Sequence, residues 1–208
     1  CIVGGIVKNL GSQAIKGDGD FLIAEADESD GSFLLLNPIM SVITNIDNDH
    51  LDHYGSVENL KKSFIEFSNK VPFYGKVSIN LNDKTSREIL PTLKRPYVGY
   101  AIDGRDCGEY KADYLAKNIV INDRGSQFIL VHQEKEYPVH ISLSGDHNVL
   151  NALAAISISH ECGLALEPIT NAIGEFEGVG RRFEQLFSND KFRIVDDYGH
   201  HPTEIKAT

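Results

Sequence analysis

The sequence predicts an α/β protein in which a mainly parallel sheet is flanked by helices and accompanied by a small antiparallel sub-sheet. Three observations carry this. Short apolar runs at residues 21–26, 42–46 and 77–81 are bounded by polar turns, as buried parallel strands are. A helical periodicity lies between the second and third of them. Beyond Gly108 the pattern changes to weak alternation over three successive segments, which suits an antiparallel meander.

Taken in order, Phe21-Leu22-Ile23-Ala24-Glu25-Ala26 reads as a buried parallel strand with a carboxylate at its carboxyl end. Residues 42–46 read as a second. Ser56 is a good N-cap, and Glu58 sits in the first turn where the helix dipole favours an acid. Val57, Leu60, Phe64, Phe67 and Val71 then recur at helical spacing until Pro72 stops the helix. Residues 77–81 form a third strand ended by Asn82-Asp83, residues 84–90 a shorter helix, and residues 97–100 a fourth strand. Strands alternating with helices imply parallel βαβ units. The meander takes residues 114–121, 127–132 and 137–143, with Asp123-Arg124-Gly125 as the first turn. A longer helix follows, capped by Asp146 or His147. Val149, Ala152, Leu153 and Ile156 form its buried stripe, and Gly163 ends it. Pro168 opens another helix carrying Ile169, Ala172, Ile173 and Phe176. Gly178-Val179-Gly180 reads as a linker. Residues 192–197 read as a new parallel strand, and Pro202 suits the first turn of a following helix.

The 208 residues are 41% apolar and 24% charged, which fits a globular chain with a sizeable core. No apolar stretch is long enough to cross a bilayer as a helix, and no signal peptide is visible. The three cysteines, Cys1, Cys107 and Cys162, are odd in number and widely spaced, so a reducing cytoplasm is expected. A net charge of −10 argues against broad nucleic-acid or membrane-surface binding. Cys1-Ile2-Val3-Gly4-Gly5 begins in mid-pattern without an initiator methionine, and the chain reads as a fragment of something longer.

Four clusters carry chemistry. Asp47, Asp49, His50, Asp52 and His53 follow an apolar strand, and the crevice beyond strand carboxyl ends is where open α/β sheets bind ligands. Such donors suit a divalent cation, and a hard one such as Mg²⁺ works with phosphates; the alternative is a solvated acidic turn. His53 reads as a solvent-facing turn residue. Glu25-Ala26-Asp27-Glu28-Ser29-Asp30 is either a metal-binding strand end or a helix start. Gly145-Asp146-His147-Asn148 with Asn151 is either ordinary capping or a set of amides able to read a base edge. Arg181 and Arg182 after the glycine linker suit phosphate clamping, or form a solvated hinge. Asp196-Asp197-Tyr198-Gly199-His200-His201-Pro202 places acids, a phenol and imidazoles at a strand end before a helix.

Together these segments resemble the Mur ligases of bacterial peptidoglycan synthesis, over the whole chain. The resemblance rests on residues 25–30 with Ser32-Phe33, Thr44-Asn45-Ile46 with residues 49–52, Pro72-Phe73-Tyr74-Gly75, His147-Asn148-Val149-Leu150-Asn151, Gly180-Arg181-Arg182-Phe183 and residues 196–204. The last of these is most specific, and points to the alanine-adding branch. The resemblance implies that residues 1–179 are a central ATP-binding domain. Residues 180–208 would be a linker and the first strand–helix of a Rossmann-like C-terminal domain. No G-x-x-x-x-G-K-[ST] loop occurs, so this stretch alone is expected to be inactive.

The resemblance further implies ATP and Mg²⁺ as cofactors and UDP-N-acetylmuramate and L-alanine as substrates, with no nucleic-acid or membrane partner. Glu25 and His50 would be Mg²⁺ ligands. His147, Asn148 and Asn151 would meet the adenine and ribose of ATP, and Arg182 a phosphate. Asp196 and Tyr198 would meet the nucleotide, and His200 the acyl group and incoming alanine. Phe64 stands where several relatives carry a carbamylated lysine. Two other readings are a zinc or manganese hydrolase built on Asp49, His50, Asp52 and His53, and a nucleotide-binding module without catalysis.

Overall fold

The computed structural model describes residues 1–200 and 202–207, without the side chains of Thr203, Glu204 and Ala207. Among the described residues the strands are β1 (Ile2–Val7), β2 (Ser12–Ala14), β3 (Ser41–Ile43), β4 (Val77–Asn80), β5 (Tyr97–Ile102), β6 (Tyr114–Asn122), β7 (Gly125–His132), β8 (Lys135–Ile141), β9 (Glu184–Ser188) and β10 (Arg193–Asp196). The α-helices are α1 (Leu51–Tyr54), α2 (Val57–Lys70), α3 (Lys84–Ile89), α4 (Asp146–Glu161), α5 (Leu166–Gly174) and α6 (Pro202–Ala207). They fall into two compact units, residues 26–174 and residues 1–25 with 175–208.

Residues 26–174 are built on one six-stranded sheet of order β3-β4-β5-β6-β7-β8. The first three pairings are parallel and the last two antiparallel, so the meander continues the parallel sheet instead of standing apart from it. Alternation along β4 and β5 distributes side chains to two cores. Val77, Ile79 and Leu81 join Ile43, Leu60, Ile89 and Leu90 in one cluster. Val98, Tyr100 and Ile102 join Tyr114, Phe128, Leu153 and Ile156 in the other. Between Val77 and Ile79, Ser78 shares a buried 2.6 Å hydrogen bond with Ser157 of α4.

The helices form where the periodicity expects them. The Ser56 hydroxyl caps α2 by accepting from Asn59 N at 3.2 Å, and Asp83 caps α3 by accepting from Ser86 N at 2.7 Å. Phe64, at the position implied for a modified lysine, packs instead on Phe33, ring centroids 5.4 Å apart. Helix α4 buries the expected stripe of Val149, Ala152, Leu153 and Ile156. Its cap differs from expectation: Gly145, at φ 106°, is the N-cap and no side chain caps the end. Helix α5 ends before Phe176.

The second unit holds two hairpins. β1 pairs antiparallel with β2, and β9 antiparallel with β10. This corrects the reading of residues 192–197 as a parallel strand. Only residues 189–192 separate β9 from β10, held by the Asn189 carboxamide oxygen accepting from Lys191 N and Phe192 N at 2.9 and 3.0 Å. So short a connection can return only antiparallel, since a parallel crossover needs about a dozen residues or more. The reading of residues 21–26 as a buried strand is also corrected. That stretch makes a single parallel bridge, Ile2 to Ala24, and Phe21, Leu22 and Ile23 are exposed. Its apolar composition is that of a covered strand, but one bridge leaves its side chains facing solvent.

Candidate nucleotide and metal site

The segment after β3 is tied down before it reaches the acidic turn. Asn80 at the end of β4 donates to Thr44 O at 2.9 Å. Buried Ile46 donates its N–H to Asp83 at 3.3 Å. The chain then turns at His50, which adopts φ 56° and is the N-cap of α1. An L-residue held there carries strain of about 1–2 kcal/mol. His50 Nε2 lies 3.6 Å from an Asp49 carboxylate oxygen and 4.0 Å from Glu28 Oε1. The Tyr54 hydroxyl donates to Glu28 O, which ties α1 to the 27–30 segment. Hydrogen bonds from Ser29, aided by His50, hold Asp27's carboxyl below the usual range against burial and the charge of Asp30.

Thus the structure brings His50 and the 27–30 segment together, and it singles out Glu28 as His50's neighbour in this unit. Sequence reasoning missed Glu28, although the acidic run containing it was visible. Glu25 belongs to the other unit, where its carboxylate accepts from Gly4 N; a Cβ at Gly4 would stand 3.0 Å from that oxygen. His53 is exposed beside Gly31, as expected, but it lies in helix α1 and not in a turn. Among the described residues no three His, Cys, Asp or Glu side chains gather as a metal cage. The donors around His50 fit a hydrated hard cation, which needs only one or two protein ligands and completes its shell with water and phosphate oxygens.

The start of α4 carries the amides. Asn148 Nδ2 donates to Ser144 O at 2.8 Å and lies 3.1 Å from His147 Nε2. Asn151 is exposed one turn further, on the face it shares with His147 by the i, i+4 relation. Gly145 is required here, because its φ of 106° is a backbone conformation that L side chains rarely adopt. Beside this helix start, Ile102, Asp103, Arg105, Lys117, Asn118 and Asp146 line a cleft of about 430 Å³. Arg105 makes an ion pair with Asp146 across it. Arg105 was not picked out by sequence reasoning, since its partner lies 41 positions away.

In the other unit Arg182 and His200 lie against Tyr198, and Asp196 meets Arg181. The Arg181 and Arg182 guanidiniums lie 5.3 and 5.8 Å from the Tyr198 ring centroid, within cation–π range. Arg181 Nε is 3.3 Å from Asp196 Oδ2, and Tyr198 N donates to Arg181 O at 2.8 Å. Asp197 accepts from Phe183 N and Gly199 N at 2.6 and 2.7 Å, tying the arginine turn to the end of β10. His200 packs edge-on against Tyr198 at 5.5 Å. His201 lies outside the described residues.

A largely parallel sheet with helices on both faces, presenting acids, amides and an imidazole beyond its strand ends, is the framework of a nucleotide-handling α/β domain. Comparison with known proteins narrows that class. The family model described as "Mur ligase middle domain" matches residues 7–159, and the chain belongs to the Mur ligase family. It is 43% identical over its whole length to a UDP-N-acetylmuramate–L-alanine ligase of Geobacter sp. (strain M21), covering 44% of that protein. It is 46% identical to the ligase of the same name from Laribacter hongkongensis, covering 45% of it. Among solved structures, the UDP-N-acetylmuramate–alanine ligase MurC of Thermotoga maritima superposes with a TM-score of 0.80 at 28% identity, over 99% of this chain and 45% of that one. A murein peptide ligase of Psychrobacter arcticus gives a TM-score of 0.67 at 26% identity, over 94% of this chain and 41% of that one. The chain thus spans less than half the length of the curated relatives it matches. Family membership sets aside the zinc or manganese hydrolase reading.

Proposed function

We propose that this chain is the central, nucleotide-handling part of an ATP-dependent ligase that joins L-alanine to the carboxylate of UDP-N-acetylmuramate. The observation that carries the reading is identity of 42–46% to proteins named for that reaction, held across the entire chain. In this reading residues 1–179 are the central domain. Residues 180–208 are the linker and the start of a C-terminal domain, with Gly178-Val179-Gly180 as the hinge. The partners are small molecules (ATP, UDP-N-acetylmuramate and L-alanine), and the setting is the cytoplasm.

The muramoyl carboxylate attacks the γ-phosphorus of ATP, the bond to ADP breaks, and an acyl phosphate forms. The amine of L-alanine attacks the acyl carbon, and the tetrahedral intermediate expels phosphate as the amine loses its proton. Phosphoryl transfer asks the protein for positioning and charge neutralisation more than covalent help. His147, Asn148 and Asn151 hold the adenine and ribose end, with Asn148 pre-oriented by Ser144 O. Arg182 contacts a phosphate, and Asp196 and Tyr198 meet the nucleotide beside it. His200 faces the acyl group and the incoming alanine. His50 would hold Mg²⁺, with Glu28 as the carboxylate beside it. Bound there, the ion supplies Lewis-acid neutralisation of phosphate oxygens.

The test uses a full-length protein that carries this chain. Supplied with ATP, Mg²⁺ and UDP-N-acetylmuramate, it should release phosphate in proportion to added L-alanine and form the corresponding amide. Release that depends on a different amino acid overturns the substrate assignment, and ADP binding without any amide product favours a nucleotide-binding module.

A further inference from the structure

The far end of the sheet from the strand carboxyl termini holds a cluster that the proposed reaction does not use. Tyr114 opens β6, His132 closes β7, His160 and Glu161 close α4, and Lys76 precedes β4. The Tyr114 hydroxyl lies 2.8 Å from His160 Nδ1 and 2.9 Å from Glu161 Oε1. Glu161 is an acceptor only, so the phenol donates to it and His160 must donate through Nδ1 to the phenol oxygen. Lys76 completes the chain as an ion pair with Glu161. The His132 ring stacks on Tyr114 with centroids 4.3 Å apart and meets the His160 ring edge-to-face at 4.9 Å. His132 Nδ1 is 2.9 Å from Asp113 O, which assigns its proton to Nδ1. Its Nε2 is a bare lone pair, buried with no partner in a residue only 8% exposed.

This arrangement is complete for two neutral imidazoles and for nothing more. A second proton on His132 would sit on the buried Nε2, among groups that offer it no acceptor. A proton on His160 would add positive charge beside His132 and Lys76, opposed only by Glu161, which Lys76 already engages. The other charged groups close by are the Asp113 carboxylate, held by Gly99 N at 2.7 Å, and Lys135, which pairs with His132 across β7 and β8.

We propose that this cluster is a proton-operated clamp on α4, which grips the carboxyl end of the helix only while His160 is neutral. The helix is 16 residues long and its other end carries His147, Asn148 and Asn151. The clamp therefore bears on the helix that presents the proposed nucleotide contacts, but the clamp itself does not depend on that reading. Burial, with His132 and Lys76 nearby, holds the His160 imidazole below its ordinary value despite Glu161. The unfolded chain takes up a proton that the folded one refuses, so stability is full above about pH 6.5 and falls as the pH drops below it. That one refused proton raises the unfolding equilibrium constant by up to about tenfold per pH unit of acidification.

The experiment is chemical denaturation of this 208-residue chain between pH 5.5 and 7.5, with NMR titration of the histidine Cε1–H resonances. The parent chain should lose stability over that interval, and His160 should titrate below an exposed imidazole. His160→Gln, which can still donate to the Tyr114 oxygen, should flatten the pH dependence. The protection of the amides in the last turns of α4, taken relative to the intrinsic exchange rate at each pH, should fall on acidification in the parent and not in the variant. A parent chain of constant stability overturns the proposal, as does an unchanged slope in His160→Gln. If the variant does not fold, an ordinary His160 titration in the parent overturns it equally. None of these outcomes involves nucleotide, so they are independent of the ligase assignment.

Discussion

Replacing Gly99 with alanine should destabilise the chain by about 1–3 kcal/mol, although the substitution adds one methyl group to a strand. Gly99 lies in β5 opposite Ile79 of β4. A Cβ built on it falls 2.4 Å from Leu81 Cδ1 and 2.8 Å from Leu81 Cγ, where ordinary contact begins near 3.4 Å. Leu81 must therefore retreat by about 1 Å, and packing at crystalline density leaves it nowhere to go. The backbones cannot share the movement. Leu81 donates to Tyr100 O at 2.9 Å and accepts from Arg87 Nη1 at 2.6 Å. Gly99 donates to the Asp113 carboxylate at 2.7 Å and accepts from Asp113 N at 2.8 Å. The strain falls on the Leu81 side chain, which is 1% exposed.

The assay is a double-mutant cycle by urea denaturation. Leu81→Ala alone should cost about 2–5 kcal/mol through the space it opens. In the Gly99→Ala background it removes the colliding atoms, and the new methyl occupies part of that space. The double variant should be more stable than the sum of the single losses implies, by about 1 kcal/mol or more. A Gly99→Ala chain within about 0.5 kcal/mol of the parent, or strictly additive losses, would refute the claim that this glycine is held by close approach.

In a full-length protein, His50→Ala should lower turnover by on the order of 10² or more while leaving the melting temperature nearly unchanged, because the residue is only half-buried, sits at a strained φ and makes no side-chain cap to α1. Steady-state rates at saturating Mg²⁺ check this, and near-normal turnover rejects a role in holding the ion. Lys76→Met tests the other end of the sheet. Burial raises the Glu161 carboxyl, but bonds from Lys76 and Tyr114 outweigh it and hold the group below its ordinary value. A depressed carboxyl contributes stability above its unfolded value of about 4.5, and that contribution is lost as the pH falls further. Since Lys76 is part exposed, the variant should lose only about 1 kcal/mol at pH 7, and the gap from the parent should narrow as the pH falls below about 4.5 to pH 4 and lower. A gap that is equal at both pH values would contradict the ion-pair account.

Where a local rule decides an element, the sequence was readable. Helix α2 follows from Ser56, the spacing from Val57 to Phe67, and Pro72, all within 17 residues. The meander follows from alternation and Asp123-Arg124-Gly125. The helix start that carries Asn148 and Asn151 was legible because a helix start is a local pattern. Residues 21–26 misled because an apolar run has the same composition whether or not another layer covers it. β10 misled because its partner, β9, carries no strong alternation and was not recognised as a strand. Glu28 was passed over because the phase of an acidic run against a distant imidazole depends on how the 27–30 segment turns.

Residue order alone determined the amphipathic helices and the α/β class, because periodicity, capping and turn preferences act over a few positions. Only the folded chain decided that Gly99 must lack a side chain and that Arg105 meets Asp146. It also gathered Lys76, Tyr114, His132 and His160 around Glu161. These groups stand tens of positions apart, and their energies arise from burial and distance, which exist only once the sheet has brought them together.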